Sequence, residues 1–168
     1  MKNTVYYAYA LVDNKDVPNF LFSHAITSES KCAWALLLEK FYNQFKEEIT
    51  NVLFEKSGKP YIQNGFISIS HSNGAIAIAF SKDEEVGVDI ELIRDTVPFK
   101  TASFINQTEP CSFYKTWTMR EAVIKAKNYS ALKNGVENEF EGINEKFIAN
   151  EKAFYISVYG KNAKFIMV

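Results

Sequence analysis

The stretch Val86-Gly87-Val88-Asp89-Ile90-Glu91 predicts a buried strand that carries two carboxylates on one face. Successive side chains of an extended chain point to opposite sides. The three aliphatic residues can therefore face a core, while Gly87 leaves the other face open for Asp89 and Glu91. The two acids would lie about 7 Å apart, close enough to converge on one cation. The alternative is the solvated side of an edge strand.

The composition predicts one compact folded unit. The chain has 168 residues, of which 47% are hydrophobic and 15% aromatic, enough for a substantial core. Its 19 Lys and Arg residues nearly balance its 20 Asp and Glu residues, so no net field attracts nucleic acid or an anionic membrane. Cys32 and Cys111 form no C-x-x-C pattern, which argues against a disulfide framework or a zinc site. With no leader pattern and no apolar run of membrane-spanning length, we expect a soluble cytoplasmic protein. We also expect it to be a monomer.

The order strand, helix, strands occurs twice along the chain, and this order predicts an α+β fold of two pseudosymmetric lobes, residues 1–83 and 84–168, each a long helix packed on a mostly antiparallel sheet. The predicted helices are 28–49, with Thr27 or Ser28 as N-cap, and 110–127. The predicted strands are 4–12, 52–55, 66–71, 75–81, 86–91, 153–159 and 163–168. Residues 66–71 pair with 75–81 in one predicted hairpin, and the last two strands form a closing hairpin. Residues 92–107 are expected to be a linker, and 131–144 have only a weak pattern.

Four polar residues outside this strand are candidates for binding or catalysis. Lys59 lies in the turn Ser57-Gly58-Lys59-Pro60, which the proline stiffens. His71 ends a predicted strand beside a tight turn, where its imidazole either hydrogen-bonds an anion such as phosphate or has a structural role. Glu121 and Lys125 lie one helical turn apart, at about 6 Å, on a face flanked by apolar residues. An ordinary surface pair of this kind contributes only about 0.3 to 0.5 kcal/mol.

Four motifs, in a fixed order, make the chain resemble a known enzyme family. They are Gly58-Lys59-Pro60, Ile69-Ser70-His71-Ser72, the strand 86–91 and Trp117-Thr118-Met119-Arg120-Glu121-Ala122-Val123-Ile124-Lys125. Together, over about residues 52 to 126, they resemble the 4′-phosphopantetheinyl transferase superfamily, in particular its surfactin-synthetase-activating type. The predicted first strand and long helix are also similar to the first lobe of that family.

The resemblance implies magnesium-dependent transfer of the 4′-phosphopantetheine arm of coenzyme A to a serine of an apo acyl or peptidyl carrier protein. By the same resemblance the magnesium ligands are Asp89, Glu91 and Glu121, and the coenzyme A contacts are Lys59, Ser70 and His71. The resemblance also implies that Glu121 and Lys125 are the catalytic residues and that Trp117 anchors its helix. Such chemistry needs hard carboxylates, because magnesium must neutralise charge on the pyrophosphate that is split. Glu121 would accept the serine proton, and Lys125 would stabilise or protonate the leaving phosphate.

Two departures from the family pattern bear on the substrates. The stretch Ala126-Lys127-Asn128-Tyr129-Ser130 stands where the family usually has a glycine turn, so we expect Tyr129 to narrow the set of carriers. Trp34 stands near the place where a basic residue often meets the 3′-phosphate of coenzyme A. Two alternatives to the transferase remain: a catalytically silent module on the same scaffold that binds coenzyme A or a carrier protein, and a metal-dependent pyrophosphate hydrolase.

Overall fold

The structure is a computed structural model that describes residues 3–13, 15–21, 25–127 and 142–168. The helices in these ranges are α1 (Ser28–Phe45), α2 (Phe99–Ile105) and α3 (Pro110–Lys127), with a short 3₁₀ turn at Asn19–Leu21. The strands are β1 (Thr4–Leu11), β2 (Leu53–Phe54), β3 (Pro60–Tyr61), β4 (Phe66–Ser72), β5 (Ala75–Ser81), β6 (Val86–Leu92), β7 (Gly142–Ala149), β8 (Lys152–Gly160) and β9 (Lys164–Met167). This mixture of helices and sheets confirms the predicted α+β class.

Two main sheets form the centre of the fold. The first has the strand order β4-β5-β1-β9 and the second the order β6-β8-β7, while β2 and β3 make a small separate pair. None of the helices in the described ranges combines the length and apolar character needed to span a membrane. The pseudosymmetry of the two lobes stays a prediction.

Helix α1 covers one face of the first sheet. Its apolar stripe packs into a core with side chains of β4 and β5, whose large buried members include Trp34, Leu37, Phe41, Ile67, Ile78 and Phe80. Thr27 caps the helix by accepting a hydrogen bond from the Ser30 backbone N–H at 3.1 Å. The N-terminal signal in the sequence was therefore correct.

On the other face of the first sheet, β5 presents small residues. Ala75, Ala77 and Ala79 of β5 lie there fully buried, opposite Val86, Val88 and Ile90 of the second sheet. Small side chains let the two sheets approach closely, and each aliphatic residue of β6 removes apolar surface from water. The predicted inward face of the strand 86–91 is confirmed.

Helix α3 covers the outer face of the second sheet at very short range. A Cβ atom added to Gly87 would lie 1.8 Å from the Ala122 carbonyl oxygen and 2.9 Å from the Ala126 backbone nitrogen. Only glycine therefore permits this packing of helix on strand. The close approach brings the polar residues of α3 over the carboxylates of β6.

The predicted closing hairpin is wrong. β8 lies between β6 and β7 in the second sheet, whereas β9 crosses to the first sheet and pairs in parallel with β1, from Thr4 opposite Lys164 to Tyr7 opposite Met167. The turn residues 160–162 favour a local hairpin, but β1 offers a complete edge of unpaired backbone groups that β9 satisfies instead. Phe165 of β9 also packs on the core between the sheets.

Three boundaries also differ from prediction. α1 ends at Phe45 and not at 49, because Lys46 adopts a left-handed φ of 57° and its backbone N–H bonds the Tyr42 carbonyl. The expected linker 92–107 contains α2, which is too short for helical periodicity to be visible. β7 begins at Gly142, inside the weakly patterned segment 131–144. The sequence did not predict this strand, because its side chains barely alternate in burial and it forms by pairing with β8.

Candidate active site

Three predicted site residues meet where β4, β6 and α3 converge. Asp89 Oδ1 accepts hydrogen bonds from Ser70 Oγ at 2.9 Å and from Lys125 Nζ at 2.7 Å, and Lys125 Nζ also lies 2.9 Å from Ser70 Oγ. Asp89 is only 4% exposed. Its second oxygen, Oδ2, is buried and has no hydrogen-bond partner among the described residues. A buried carboxylate oxygen in that condition is costly, so it suits a bound cation.

The other two predicted carboxylates lie close enough to Asp89 to be affected by its charge. Burial raises the pKa of Glu91, and the nearby negative charge of Asp89 raises it further. Burial also raises the pKa of Glu121, again with a contribution from Asp89. The charge of Asp89 thus disfavours the ionised forms of Glu91 and Glu121, and a positive charge among the three carboxylates would relieve that repulsion.

The donor set fits a hard divalent cation, although it is not preassembled. No group of three or more His, Cys, Asp and Glu side chains is arranged to hold a metal ion within the described ranges. Asp89 pairs with the ammonium group of Lys125 instead. Because both contacts of Asp89 use Oδ1, the carboxylate can offer Oδ2 to a cation without losing either one. Oxygen donors of this type suit magnesium.

A pocket of about 380 Å³ adjoins Lys125. Its apolar wall includes Trp34 of α1 and Ile69 of β4, and its cationic side chains are Lys59 and Lys125. Lys59 Nζ also donates a hydrogen bond to the carbonyl oxygen of Ala126 in the last turn of α3. The predicted turn around Lys59 therefore places a cation on the pocket rim and on the carbonyl end of the helix.

His71 faces away from Asp89, because side chains alternate along β4. Its Nδ1 lies 3.0 Å from Glu29 Oε2 in the first turn of α1, and Glu29 Oε1 accepts a hydrogen bond from the Gly74 backbone N–H at 2.6 Å. The carboxylate favours the tautomer with the proton on Nδ1, which leaves Nε2 for another partner. The structure therefore does not place His71 with Ser70 and Lys125.

The remaining predicted residues have structural surroundings. Trp34 is 1% exposed and packs edge-on against Phe54, with ring centroids 6.4 Å apart, so it forms core as well as pocket wall. Trp117 stacks on Phe113 with nearly parallel rings at 6.3 Å, in keeping with an anchor for α3. Tyr129, with Asn128 and Ser130, lies outside the described residues.

Sequence reasoning missed two residues that contact the candidate site. Ser72 donates a hydrogen bond to Glu91 Oε2 at 2.9 Å, and Glu29 binds His71. A signal for Ser72 was present in the alternation of Ser68, Ser70 and Ser72, which places a row of hydroxyls on one face of β4. No comparable signal exists for Glu29, since its contact with His71 joins residues 42 positions apart.

Comparison with known proteins finds distant relatives. No protein-family model matches the chain. Two curated proteins, each described as 4′-phosphopantetheinyl transferase AcpT, from Salmonella typhi and Salmonella typhimurium, are 24% identical to it in an alignment 135 positions long that covers 68% of this chain and 68% of each relative. This similarity supports the phosphopantetheinyl transferase superfamily for the chain and, with it, the general transfer function.

Proposed function

We propose that the protein transfers the 4′-phosphopantetheine arm of coenzyme A to a serine of an acyl or peptidyl carrier protein in a magnesium-dependent reaction, as a cytoplasmic enzyme of the surfactin-synthetase-activating type. The site lies between a lobe of residues 1–83 and a lobe of residues 84–168. The proposed magnesium ligands are Asp89, Glu91 and Glu121, the coenzyme A contacts are Lys59, Ser70 and His71, and the catalytic residues are Glu121 and Lys125.

The observation that carries the proposal is the contact of Asp89 with Ser70 and Lys125 at the edge of a pocket. These residues come from three elements that are distant in sequence, so their meeting requires the whole fold. The pocket has an apolar wall that can receive the pantetheine or adenosine part of coenzyme A and cations that can face its pyrophosphate. An acidic centre beside a cationic pocket matches a reaction in which a metal ion and lysines share the phosphate charge.

The residues have distinct chemical tasks. The carrier serine oxygen bonds to the phosphorus that bears the pantetheine arm, and the bond from that phosphorus to the bridging oxygen breaks, which releases adenosine 3′,5′-bisphosphate. Glu121 accepts the serine proton, directly or through a water molecule. Lys125 stabilises the negative charge on the leaving phosphate. Bound magnesium would neutralise charge on the pyrophosphate oxygens.

The proposal is tested by incubating the protein with coenzyme A, magnesium and a panel of apo-carrier proteins, followed by intact mass spectrometry. The expected result is a carrier heavier by one phosphopantetheine. Breakdown of coenzyme A without a modified carrier would support the hydrolase instead. Binding of coenzyme A with neither reaction, for every carrier in the panel, would support the catalytically silent binding module.

Replacing Lys125 by alanine should lower kcat about 100-fold, because its charge matters most when the leaving phosphate develops. The matched control is Lys127→Ala on the last turn of the same helix, where the ammonium group lies over the Tyr159 ring, 5.3 Å from its centroid, and away from Asp89. Steady-state kinetics should give a near-parental kcat for this control. An equal loss of kcat in both variants would mean that any positive charge on this helix has the same effect on turnover, and would contradict a specific role for Lys125.

Replacing His71 by alanine should raise KM for coenzyme A about tenfold, a change of about 1.4 kcal/mol, and alter kcat less. A phosphate contact present in both ground and transition states has this effect. Glutamine at this position keeps a hydrogen-bond donor without a charge, so its KM should lie between those of the parent and His71→Ala. A collapsed kcat with unchanged KM would place His71 in the chemistry and contradict its assignment as a coenzyme A contact.

A further inference from the structure

The two main sheets are joined by a repeated hydrogen bond that replaces ordinary strand pairing. The Oγ atoms of Ser68, Ser70 and Ser72 on β4 accept hydrogen bonds from the backbone N–H groups of Val88, Ile90 and Leu92 on β6, at 3.1, 3.4 and 3.4 Å respectively. Both sets of residues advance by two, so the strands run in the same direction. Serine hydroxyls thus satisfy β6 where a neighbouring strand would offer carbonyl oxygens.

Two of the three serines also donate a hydrogen bond to a carboxylate of β6. Ser70 donates its proton to Asp89 Oδ1 and Ser72 donates its proton to Glu91 Oε2, each at 2.9 Å. In each case the carboxylate belongs to the residue just before the bonded N–H group. Ser68 has no such partner on β6, because the residue before Val88 is Gly87.

The surroundings of Ser72 direct its single proton. A serine hydroxyl has one hydrogen to donate and two lone pairs that accept. Leu92 N–H and the Asn73 side-chain amide, whose Nδ2 lies 3.0 Å from Ser72 Oγ, both donate to this oxygen. The proton of Ser72 is therefore left for Glu91. Asn73 adopts a left-handed φ of 52°, which begins the turn into Gly74 and brings its side chain back to Ser72.

We propose that Ser72 is a positioning residue for the cation site: the Ser72–Asn73 pair sets the orientation of the Glu91 carboxylate, as Ser70 does for Asp89. This inference rests on the proposed function, since it takes Asp89 and Glu91 as metal ligands. Partners that orient a ligating carboxylate typically change metal affinity 10- to 100-fold when they are removed. Ser72 needs no contact with coenzyme A or the carrier to have this effect.

The test measures cation binding directly, with Mn²⁺ as the probe and electron paramagnetic resonance of free Mn²⁺ as the readout, on the full chain with coenzyme A present and no carrier. Ser72→Ala should weaken Mn²⁺ binding about tenfold or more. Ser68→Ala is the matched control, because it loses the same kind of backbone bond without touching a carboxylate. It should lose a similar amount of thermal stability as Ser72→Ala and keep the parental Mn²⁺ affinity.

The outcomes separate this inference from the proposed function. Equal Mn²⁺ affinity in Ser72→Ala and the parent, or an equal loss in Ser68→Ala, would overturn the positioning role alone. A parent that binds no Mn²⁺ would overturn the metal site of the proposed function together with the inference. Should Ser72→Ala not fold, Asn73→Gly keeps the left-handed turn, removes only the amide that orients Ser72, and should weaken binding several-fold; unchanged affinity there would also overturn the role.

Discussion

Replacing Asp89 by asparagine is expected to lower kcat/KM for transfer about 1000-fold, a loss of about 4 kcal/mol of transition-state stabilisation. Asparagine keeps the size of the side chain and an oxygen for Ser70, but it removes the negative charge that faces Lys125 and the proposed cation. Lys125 is about one third exposed, so its ammonium group can turn to water and the fold should survive. Steady-state kinetics at saturating magnesium, with circular dichroism to check the fold, measures the effect.

The matched control is Asp95→Asn, an identical chemical change on the exposed segment just after β6. Its kcat/KM should stay within about twofold of the parent, because a solvent-exposed surface charge contributes little. Near-parental turnover of Asp89→Asn at low magnesium would show that Asp89 does not hold the metal.

Replacing Gly87 by alanine should lower the free energy of unfolding by more than about 3 kcal/mol and the Tm by roughly 10 °C. The new Cβ would collide with the carbonyl group of Ala122 and the nitrogen of Ala126, both backbone groups of α3. A side chain could rotate away from such a clash, but helix backbone cannot, so α3 must move as a unit. Any folded fraction should also lose transfer activity, because α3 carries Glu121 and Lys125. Chemical denaturation followed by tryptophan fluorescence measures the stability.

Gly74→Ala is the control for this prediction. Gly74 has a φ of 87° and no heavy atom within 4 Å of an added Cβ, so the variant has backbone strain without a clash. We expect it to cost only about 1 to 2 kcal/mol. If Gly87→Ala were no less stable than Gly74→Ala, α3 could not pack on β6 as closely as the structure has it, and the position of Lys125 beside Asp89 would be in doubt.

Elements with strong local patterns were predictable from the sequence. The alternation in 66–71, 75–81 and 86–91 fixes which side chains share a face, because successive side chains of a strand point to opposite sides wherever it pairs. The caps and apolar stripe likewise located α1 and α3. By contrast, the parallel pairing of β9 with β1 joins opposite ends of the chain. Local turn chemistry at 160–162 gives no information about that partner, so it favoured the wrong hairpin.

In the candidate site, too, local patterns were predictable and long-range contacts were not. The alternation of β6 puts Asp89 and Glu91 on one face, and helical spacing puts Glu121 and Lys125 on another. Their meeting depends on how closely α3 approaches β6, which Gly87 controls and periodicity cannot reveal. The family resemblance supplied the expected grouping, and the structure brings Asp89 and Lys125 into contact. The hydrogen bond from Ser72 to Glu91 joins the two sheets, and neither the periodicity nor the family resemblance predicted it.

The most direct test of the central claim is the stoichiometry of the reaction with one accepted carrier. Adenosine 3′,5′-bisphosphate release is measured by chromatography and carrier modification by intact mass in the same samples, with a carrier whose acceptor serine is changed to alanine as the blank. We expect one nucleotide released for each carrier modified, loss of both on chelation of magnesium, and neither with the blank. Nucleotide release that continues with the blank carrier, or carrier modification that survives chelation and the Asp89→Asn change, would contradict the central claim.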